Sequence, residues 1–400
     1  MKKITLLTFL SLFASIVYSQ VSTFYVYPNS TDNYYTMAQD SHYVAINTSV
    51  TSNGKLFVFI GGTGSSTKAY KHLPQLAANL GYHSVSIAYP NSPSISSSCG
   101  GSANSSCYED FRQEVCYGTP LNSSVSVDTF NCIYTRLVKL LNYLALTYPA
   151  DNWGQFISSN QPLWANIAIG GHSQGSGHAL YFGYTQSCGR VLMFSGANDY
   201  SGFYNAPATW LFNTSASPAT KFYSFLHLQD DVFPYAKQYA IVQASGMTAG
   251  GDDSTLVDNN SSPYAYSHCL YTNLSPQFPG VYSSWHDATA VEFYSPLNGG
   301  QFEYEPVWTY MLSDQNTFGI TNVGDKRALS IFPNPANGTL SILIPKKEKN
   351  NSLQVISSSG ELIYSKIIFE KEKIELNLDG FPPGIYLLRL GERSAKLIKE

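Results

Sequence analysis

The chain has 400 residues, a formal net charge of −4 and only 12% charged residues, about half of the usual share. The charge is uneven, because residues 326–400 carry a net charge of +4 and residues 1–325 carry −8. The acidic larger part argues against a nucleic-acid partner, and no run of about 18 apolar residues predicts a transmembrane segment. The change of composition near residue 325 predicts at least two domains.

Residues 1–19 have the pattern of a secretory signal peptide. Lys2 and Lys3 precede an apolar run over residues 4–17, and the side chains at Val17 and Ser19 suit cleavage before Gln20. We therefore expect the mature chain to begin at Gln20 and to work outside the cytoplasm.

The six cysteines fit an exported protein, in which an even number favours disulfides. The candidate disulfide residues are Cys99, Cys107, Cys116, Cys132, Cys188 and Cys269. The preferred pairs are Cys99 with Cys107, Cys116 with Cys132, and Cys188 with Cys269. No C-x-x-C pattern occurs, which disfavours a zinc site. The sequence predicts no metal site and no cofactor.

Strands and helices alternate along the larger part of the chain. A continuous apolar run over residues 55–60 predicts a buried strand, and a glycine-rich loop at 61–66 follows it. The other predicted elements are a helix at 69–80, a strand at 83–89, an extended loop at 90–126 with room for a short helix near 109–114, a helix at 128–147, strands at 167–169, 190–196 and 221–227, a loop at 244–279, and a closing helix within 302–312. This order predicts an α/β fold, a mostly parallel sheet flanked by helices.

A candidate nucleophile lies in the stretch 164–178, where an apolar strand leads into a turn and then a helix. The turn reads G-H-S-Q-G over residues 171–175, a G-x-S-x-G pattern with Ser173 at its centre. Small residues at this turn let a strand and a helix approach each other closely. The hydroxyl of Ser173 would then lie at a helix N-terminus, where the helix dipole favours a developing negative charge.

A serine nucleophile of this kind works with a histidine base and an acidic residue that orients the histidine. Both should follow the nucleophile in the chain. Asp230 follows a predicted strand and is the preferred acid, because the acid of such a triad is usually followed by one residue, a valine and, further on, a proline, as in D-D-V-F-P. Asp231 is the alternative acid. His286 is the preferred base rather than His268, which adjoins a cysteine. His172, His178 and His227 are interpreted as packing or hydrogen-bonding residues.

Two backbone N–H groups should stabilise the oxyanion of such a reaction. One is predicted at Gln174, the residue after the nucleophile, and the other at Thr63, in the glycine-rich loop. A phosphate-binding loop is disfavoured, because no Gly-Lys-Ser/Thr closes the glycine-rich stretch.

The last 70 or so residues have a different pattern. Short alternating strands are predicted at 340–344, 353–357, 362–368, 374–378, 385–390 and 395–398, separated by Pro, Gly and Asn turns. This pattern predicts a small β-sandwich.

Two resemblances follow from these motifs. Residues 50–310 resemble the α/β-hydrolase fold through G-H-S-Q-G, the G-G-T-G loop, L-Q-D-D-V-F-P and W-H-D-A-T-A-V, and the series around the nucleophile is similar to a group of secreted α/β-hydrolases. This resemblance implies serine-hydrolase chemistry and little about substrate. Residues 329–400 resemble the C-terminal sorting domain of type IX secretion in Bacteroidetes-type bacteria, through I-F-P-N-P-A-N-G-T-L-S-I, G-E-L-I-Y, L-D-G-F-P-P-G-I-Y-L-L-R-L and the final K-L-I-K. It implies passage across the outer membrane by the type IX machinery, after which the domain is usually removed.

The sequence therefore predicts a secreted or cell-surface serine hydrolase. The expected domains are a signal peptide at 1–19, a catalytic domain at 20–320, a linker at 321–328 and a sorting domain at 329–400. The expected activity is hydrolysis of a small or polymeric carboxylic ester through an acyl-enzyme on Ser173, with His286 activating water. The alternatives are a catalytically silent surface protein that binds glycan or polymer, a peptidase, and a polyester depolymerase.

Overall fold

The computed structural model describes residues 21–37, 40–248, 254–313, 329, 331–332, 334–343, 352–357, 361–368, 373–391 and 393–400. The chain divides into two units, Met1–Leu312 and Ser313–Glu400. The predicted signal peptide at 1–19 and linker at 321–328 lie outside the described residues.

A nine-stranded sheet forms the centre of the first unit. Its strands are β1 (Ser22–Val26), β2 (His42–Ile46), β3 (Leu56–Ile60), β4 (His83–Ile87), β5 (Ile167–His172), β6 (Arg190–Phe194), β7 (Phe222–His227), β8 (Ser254–Leu256) and β9 (Cys269–Thr272). They lie side by side in the order β1-β2-β4-β3-β5-β6-β7-β9-β8. The seven strands from β4 to β8 in this order are parallel, and the pairs β1–β2 and β2–β4 are antiparallel. The predicted mostly parallel α/β sheet is thus present.

Helices and short elements connect these strands. The α-helices are α1 (Pro28–Thr31), α2 (His72–Asn79), α3 (Ile95–Cys99), α4 (Cys107–Tyr117), α5 (Ile133–Thr147), α6 (Gln174–Thr185), α7 (Tyr235–Ala244), α8 (Ser284–Asp287) and α9 (Glu305–Leu312). The 3₁₀ turns are Thr67–Tyr70, Pro149–Asp151, Trp153–Phe156, Trp164–Asn166, Thr209–Phe212, Ala219–Lys221 and Tyr264–Tyr266. Three two-residue strand pairs join Ile157–Ser158 to Gln161–Pro162, Tyr200–Ser201 to Ala206–Pro207, and Leu297–Asn298 to Gln301–Phe302.

The central strands are apolar on both faces because both faces are covered. In β3, Val58 and Ile60 belong to one buried cluster, together with residues of α4, α5 and α6. Phe57 and Phe59 belong to another, together with residues of α2 and α9. Successive side chains of a strand point to opposite faces, so the continuous apolar run of β3 is what a sheet buried on both sides requires.

Two stretches predicted as loops contain regular structure. Segment 90–126 holds α3 and α4, the latter longer than the short helix considered near 109–114, and segment 244–279 holds β8 and β9. β8 and β9 have only three and four residues, and they lie at the end of the sheet. Strands this short carry too little periodicity to be recognised from sequence.

One of the three preferred disulfides is confirmed, the bond between Cys99 and Cys107. The pairings of Cys116 with Cys132 and of Cys188 with Cys269 are wrong, because Cys116, Cys132 and Cys188 are buried free cysteines.

The topology explains the two errors. Cys269 aligns with Ser224 of β7, which aligns in turn with Met193 of β6, so β7 separates Cys269 from the strand that Cys188 precedes. Two strand spacings amount to about 9–10 Å, too far for a disulfide. Cys132 instead caps α5, where its Sγ accepts from the Thr135 N–H at 3.5 Å, and Cys116 Sγ lies 3.5 Å from His178 Nδ1.

The second unit contains two antiparallel sheets. One has the order β10 (Ile331–Phe332), β11 (Thr339–Leu343) and β14 (Lys373–Asn377), and the other β13 (Leu362–Ile367), β12 (Ser352–Ser357), β15 (Gly384–Leu390) and β16 (Arg393–Lys399). Buried residues of both sheets, such as Leu340 and Leu388, belong to one apolar cluster.

Candidate active site

Ser173 occupies a strained turn between β5 and α6. Its backbone angles are φ 54° and ψ −122°, in a region that side-chain-bearing residues rarely adopt. The flanking glycines are required by space: a Cβ at Gly171 would lie 2.2 Å from the Gly175 carbonyl oxygen, and one at Gly175 would lie 2.1 Å from the Ile60 carbonyl oxygen. The serine is held by its N–H, which donates to the Phe194 carbonyl at 2.9 Å. The local sequence thus forces this hydroxyl into an unusual, fixed position.

Asp230 and His286 form a buried pair. The Nδ1 atom of His286 lies 2.6 Å from Oδ2 of Asp230. Asp230 lies in the loop that follows β7. The other oxygen of Asp230 accepts from the N–H groups of Val232 (2.9 Å) and Phe233 (2.7 Å), and Gln238 Nε2 donates to Oδ2 at 2.8 Å. Because an ionised carboxylate only accepts hydrogen bonds, Nδ1 carries the ring proton and Nε2 bears the lone pair.

The alternative acid has a different contact with the same histidine. Asp231 Oδ1 accepts the backbone N–H of His286 at 3.1 Å. The structure therefore brings both aspartates to His286, but only Asp230 meets its ring. His268, the other late histidine, lies elsewhere: its Nδ1 is 2.8 Å from the Phe222 carbonyl oxygen and its ring stacks on Tyr223.

The contact between Asp230 and His286 shifts the pKa of both residues. Burial lowers the pKa of His286, but the charge and hydrogen bond of Asp230 outweigh it, so the net pKa is raised. Burial raises the pKa of Asp230, yet the charge and hydrogen bond of His286 leave the net pKa lowered. The Nε2 atom of His286 is buried and has no hydrogen-bond partner in the part of the chain that the structure describes. A buried lone pair of raised basicity is thus free to take a proton.

Asn198 also reaches the nucleophile, which the sequence did not indicate. Its Nδ2 donates to Ser173 Oγ at 3.3 Å from the segment that follows β6, and its own Oδ1 is buried without a partner among the described residues. An asparagine after a strand is common in turns, so no sequence signal distinguishes it.

A buried ion pair supports the start of α6. Arg112 Nη2 lies 2.6 Å from Asp199 Oδ2, and Arg112 Nη1 donates to the Gln174 carbonyl at 2.7 Å. Neither charged side chain is exposed. Gly177 makes room for the guanidinium, since a Cβ there would lie 1.9 Å from Nη2. Arg112 lies within the short helix considered near 109–114, but nothing in the sequence places that helix beside α6.

The predicted oxyanion loop lies against the nucleophile. A Cβ at Gly62 would be 3.1 Å from the Cβ of Ser173, so the loop 61–66 directly contacts the serine. Thr63 is the next residue, and Gln174 follows Ser173 as the first residue of α6. The use of these two N–H groups as donors stays a prediction.

The three histidines interpreted as packing residues differ in their surroundings. His178 packs edge-on against Tyr89, and His227 Nε2 lies 2.9 Å from the Leu274 carbonyl oxygen. His172, in contrast, has its ring centroid 5.0 Å from that of His286. Burial and the nearby His286 lower the pKa of His172 to about 4.

One group of described side chains could hold a metal ion. The ligand atoms of His172, His286 and Asp287 lie within 4.8 Å of one another. His172 Nε2 is 3.6 Å from Asp287 Oδ1, and the Nδ1 atom of His286 is already bonded to Asp230. A metal here would use the same Nε2 atom that a serine–histidine pair needs.

Comparisons with known proteins inform mainly the second unit. Residues 330–400 match the family model "Secretion system C-terminal sorting domain". Beta-agarase A of Zobellia galactanivorans is 31% identical over 68 residues, 17% of this chain and 12% of that protein, so the chain spans about an eighth of its length. The solved structure "Crystal Structure of TT1662 from Thermus thermophilus" has a TM-score of 0.32 and 13% identity, over 64% of this chain and 88% of that chain.

The sorting domain indicates secretion or a cell-surface location. No helix among the residues that the structure describes is both long and apolar enough to cross a membrane. The family match over residues 330–400 supports a type IX secretion C-terminal sorting domain, which implies interaction with the type IX secretion machinery.

Proposed function

We propose that the chain is a secreted serine hydrolase of the α/β-hydrolase fold that cleaves carboxylic esters through an acyl-enzyme on Ser173. The observation that carries the proposal is the buried pair of Asp230 and His286, at 2.6 Å, with an Nε2 atom that has no hydrogen-bond partner among the described residues. Ser173 follows β5, Gly62 follows β3 and Asp230 follows β7, and these parallel strands end at the same edge of the sheet. Ligands of such sheets bind at the carboxyl ends of the strands.

The mechanism assigns each group one role. As Ser173 Oγ attacks the ester carbonyl, its proton passes to His286 Nε2, and Asp230 stabilises the resulting imidazolium. The N–H groups of Thr63 and Gln174 stabilise the oxyanion. The imidazolium then gives its proton to the leaving alcohol, and the acyl group remains on Ser173.

The second half repeats these steps with water. His286 Nε2 takes a proton from water as its oxygen attacks the acyl carbon, and the proton returns to Ser173 Oγ as the carboxylic acid leaves. In the structure, Ser173 Oγ accepts from Asn198 and is not bonded to His286. Such contacts are often longer in the free enzyme and shorten when substrate binds.

Exposed apolar side chains on the loops of the acid and the base support an apolar substrate. Val232, two residues after Asp230, is 38% exposed, and Tyr282, four residues before His286, is 76% exposed. Phe278 and Phe293, on the two sides of His286 in sequence, are exposed and stack at 4.6 Å. Exposed apolar groups of this kind commonly mark a binding surface.

The domain boundaries belong to the same proposal. We place the hydrolase at residues 20–320 after removal of the signal peptide at 1–19, and the linker at 321–328 before the sorting domain. The division of the chain after Leu312 supports a boundary in this region.

The proposal is tested with the purified protein and a panel of chromogenic esters and matched amides. We expect turnover of esters, and loss of that turnover in Ser173→Ala. Turnover of amides in preference to esters would favour a peptidase. Absence of any turnover, together with binding to an insoluble polymer that Ser173→Ala leaves intact, would replace the proposal with a binding function.

A further inference from the structure

A buried chain of hydrogen bonds crosses the candidate site from the glycine-rich loop to the loop of the base. The Gly62 N–H donates to Tyr70 Oη at 3.1 Å. Tyr70 Oη lies 3.0 Å from His172 Nδ1, and His172 Nε2 lies 3.3 Å from the carbonyl oxygen of His286. All three contacts are buried.

The proton positions along this chain follow from the groups themselves. Burial raises the pKa of Tyr70 to about 12, so the phenol keeps its proton. Tyr70 Oη accepts the hydrogen bond of the Gly62 N–H and donates its own proton to His172 Nδ1. The Nε2 atom of His172 therefore carries the ring proton and donates it to the His286 carbonyl. Neutral His172 satisfies every contact, consistent with its lowered pKa.

The chain joins the two sides of the proposed reaction. Gly62 adjoins Thr63, a proposed oxyanion donor, and lies against Ser173, whereas the far end is the backbone of the proposed base. His172 immediately precedes Ser173 in the chain. A displacement of about 1 Å between such groups can lower a rate about 100-fold, so a tether between them matters for catalysis.

We propose that His172 and Tyr70 are positioning residues, which hold the loop 61–66 and the backbone of His286 at a fixed spacing across Ser173. This inference rests on the proposed function. In the proposed mechanism neither side chain exchanges a proton with the substrate or attacks it. Their contribution is the geometry of the oxyanion donor relative to the base.

The neighbouring charges do not replace this role. Asp287 Oδ1 lies 3.6 Å from His172 Nε2, beyond hydrogen-bond distance, and its side chain is partly exposed. Asp230 accepts a hydrogen bond from Nδ1 of His286 and does not contact the His172 ring in this way. The His286 carbonyl is therefore the group that the His172 N–H meets.

The test compares variants of the full-length secreted protein on a 4-nitrophenyl ester. Tyr70→Phe removes one oxygen and keeps the ring that packs against Phe59. We expect kcat to fall about tenfold with KM unchanged, because the lost contacts serve the transition state rather than substrate binding. The inhibition constant of phenylboronic acid, which forms a tetrahedral adduct on serine, should rise by a similar factor.

Substitutions of His172 add a rescue arm. His172→Leu should lose as much kcat as Tyr70→Phe or more, and His172→Gln should recover part of it, since a glutamine amide can donate near the position of Nε2. His42 provides the matched control: it is a fully buried histidine in β2 whose Nδ1 accepts the Ala88 N–H at 3.1 Å. His42→Leu should lower the unfolding temperature comparably and leave kcat and the boronate constant unchanged.

The outcomes separate this inference from the proposed function. If wild-type protein does not hydrolyse the ester and does not react with a fluorophosphonate, the proposed function fails and this inference fails with it. If wild type is active but Tyr70→Phe and His172→Leu match His42→Leu in kcat and in the boronate constant, the inference alone is overturned. A rise in KM with kcat unchanged would overturn it as well.

Discussion

The two units of the chain bury different kinds of side chain. Around Ser173 the first unit buries Asp230, His286 and the Arg112–Asp199 ion pair. The buried apolar cluster of the second unit consists of aliphatic residues and Tyr386, and among its described residues the buried polar or charged side chains are Ser341 and Lys399. Burying polar and charged groups is costly unless they are paired, so a concentration of paired, buried polar groups is a mark of a functional site. The difference is consistent with the proposed hydrolase site in the first unit, whereas the sorting domain lies in the second.

The sharpest test of this contrast is a substitution within the buried pair. Asp230→Asn should lower kcat about 10³- to 10⁴-fold, because the amide no longer stabilises the imidazolium or selects the Nδ1-protonated ring. Asp231→Asn is the matched control and should cost about two- to tenfold, since Asp231 accepts only the backbone N–H of His286. Equal losses from steady-state kinetics of the two variants would contradict the assignment of the acid.

The raised pKa of His286 predicts the pH dependence of the reaction. The base acts as neutral imidazole, so kcat/KM should fall about tenfold per pH unit below the pKa of His286. Because Asp230 raises that pKa above its ordinary value of 6.5, the midpoint of the acid limb of kcat/KM should lie above pH 6.5. A pH profile of the wild type measures this midpoint. A midpoint well below pH 6.5 would mean that His286 is not the base or that Asp230 is not ionised beside it.

Asn198 should have a smaller effect. Asn198→Ala removes a hydrogen bond of 3.3 Å to Ser173 Oγ, and we expect a loss in kcat of about five- to tenfold. Asn213→Ala, at an exposed position of the same unit, serves as the control and should leave kcat unchanged. A wild-type kcat in Asn198→Ala would show that this contact is dispensable.

The second unit should contribute least to catalysis. Leu388 is fully buried in β15, whereas Leu387 is 44% exposed on the other face of the same strand. Leu388→Asp buries a charge in the sorting domain and should reduce the secreted fraction in a type IX-secreting host, with kcat of the purified protein unchanged. Leu387→Asp should be secreted normally. A loss of kcat in Leu388→Asp would contradict the separation of the two roles.

The sequence predicted those parts of the candidate site that local patterns encode. The turn around Ser173 follows from its glycines, and Asp230 and His286 follow from their order after it. In the second unit, alternating residues match the strands closely, as in the predicted 353–357 and the observed Ser352–Ser357.

The sequence did not predict contacts between residues that lie far apart in the chain. Nothing in the spacing shows that Asn198 reaches Ser173, that Arg112 reaches Gln174, or that Tyr70 joins His172 to Gly62. These contacts depend on where helices and strands pack, and no local pattern encodes that packing. The false pairings of the cysteines have the same origin, since proximity in the chain says little about neighbours across a sheet.

Covalent labelling tests most directly whether Ser173 is the nucleophile, as proposed. The purified protein is treated with a fluorophosphonate, and the modified peptide is identified by mass spectrometry, with Ser176 as an internal comparison three residues away. We expect stoichiometric modification of Ser173, which Ser173→Ala abolishes and Ser176→Ala does not. An unmodified Ser173 in folded protein, or labelling that persists in Ser173→Ala, would contradict it.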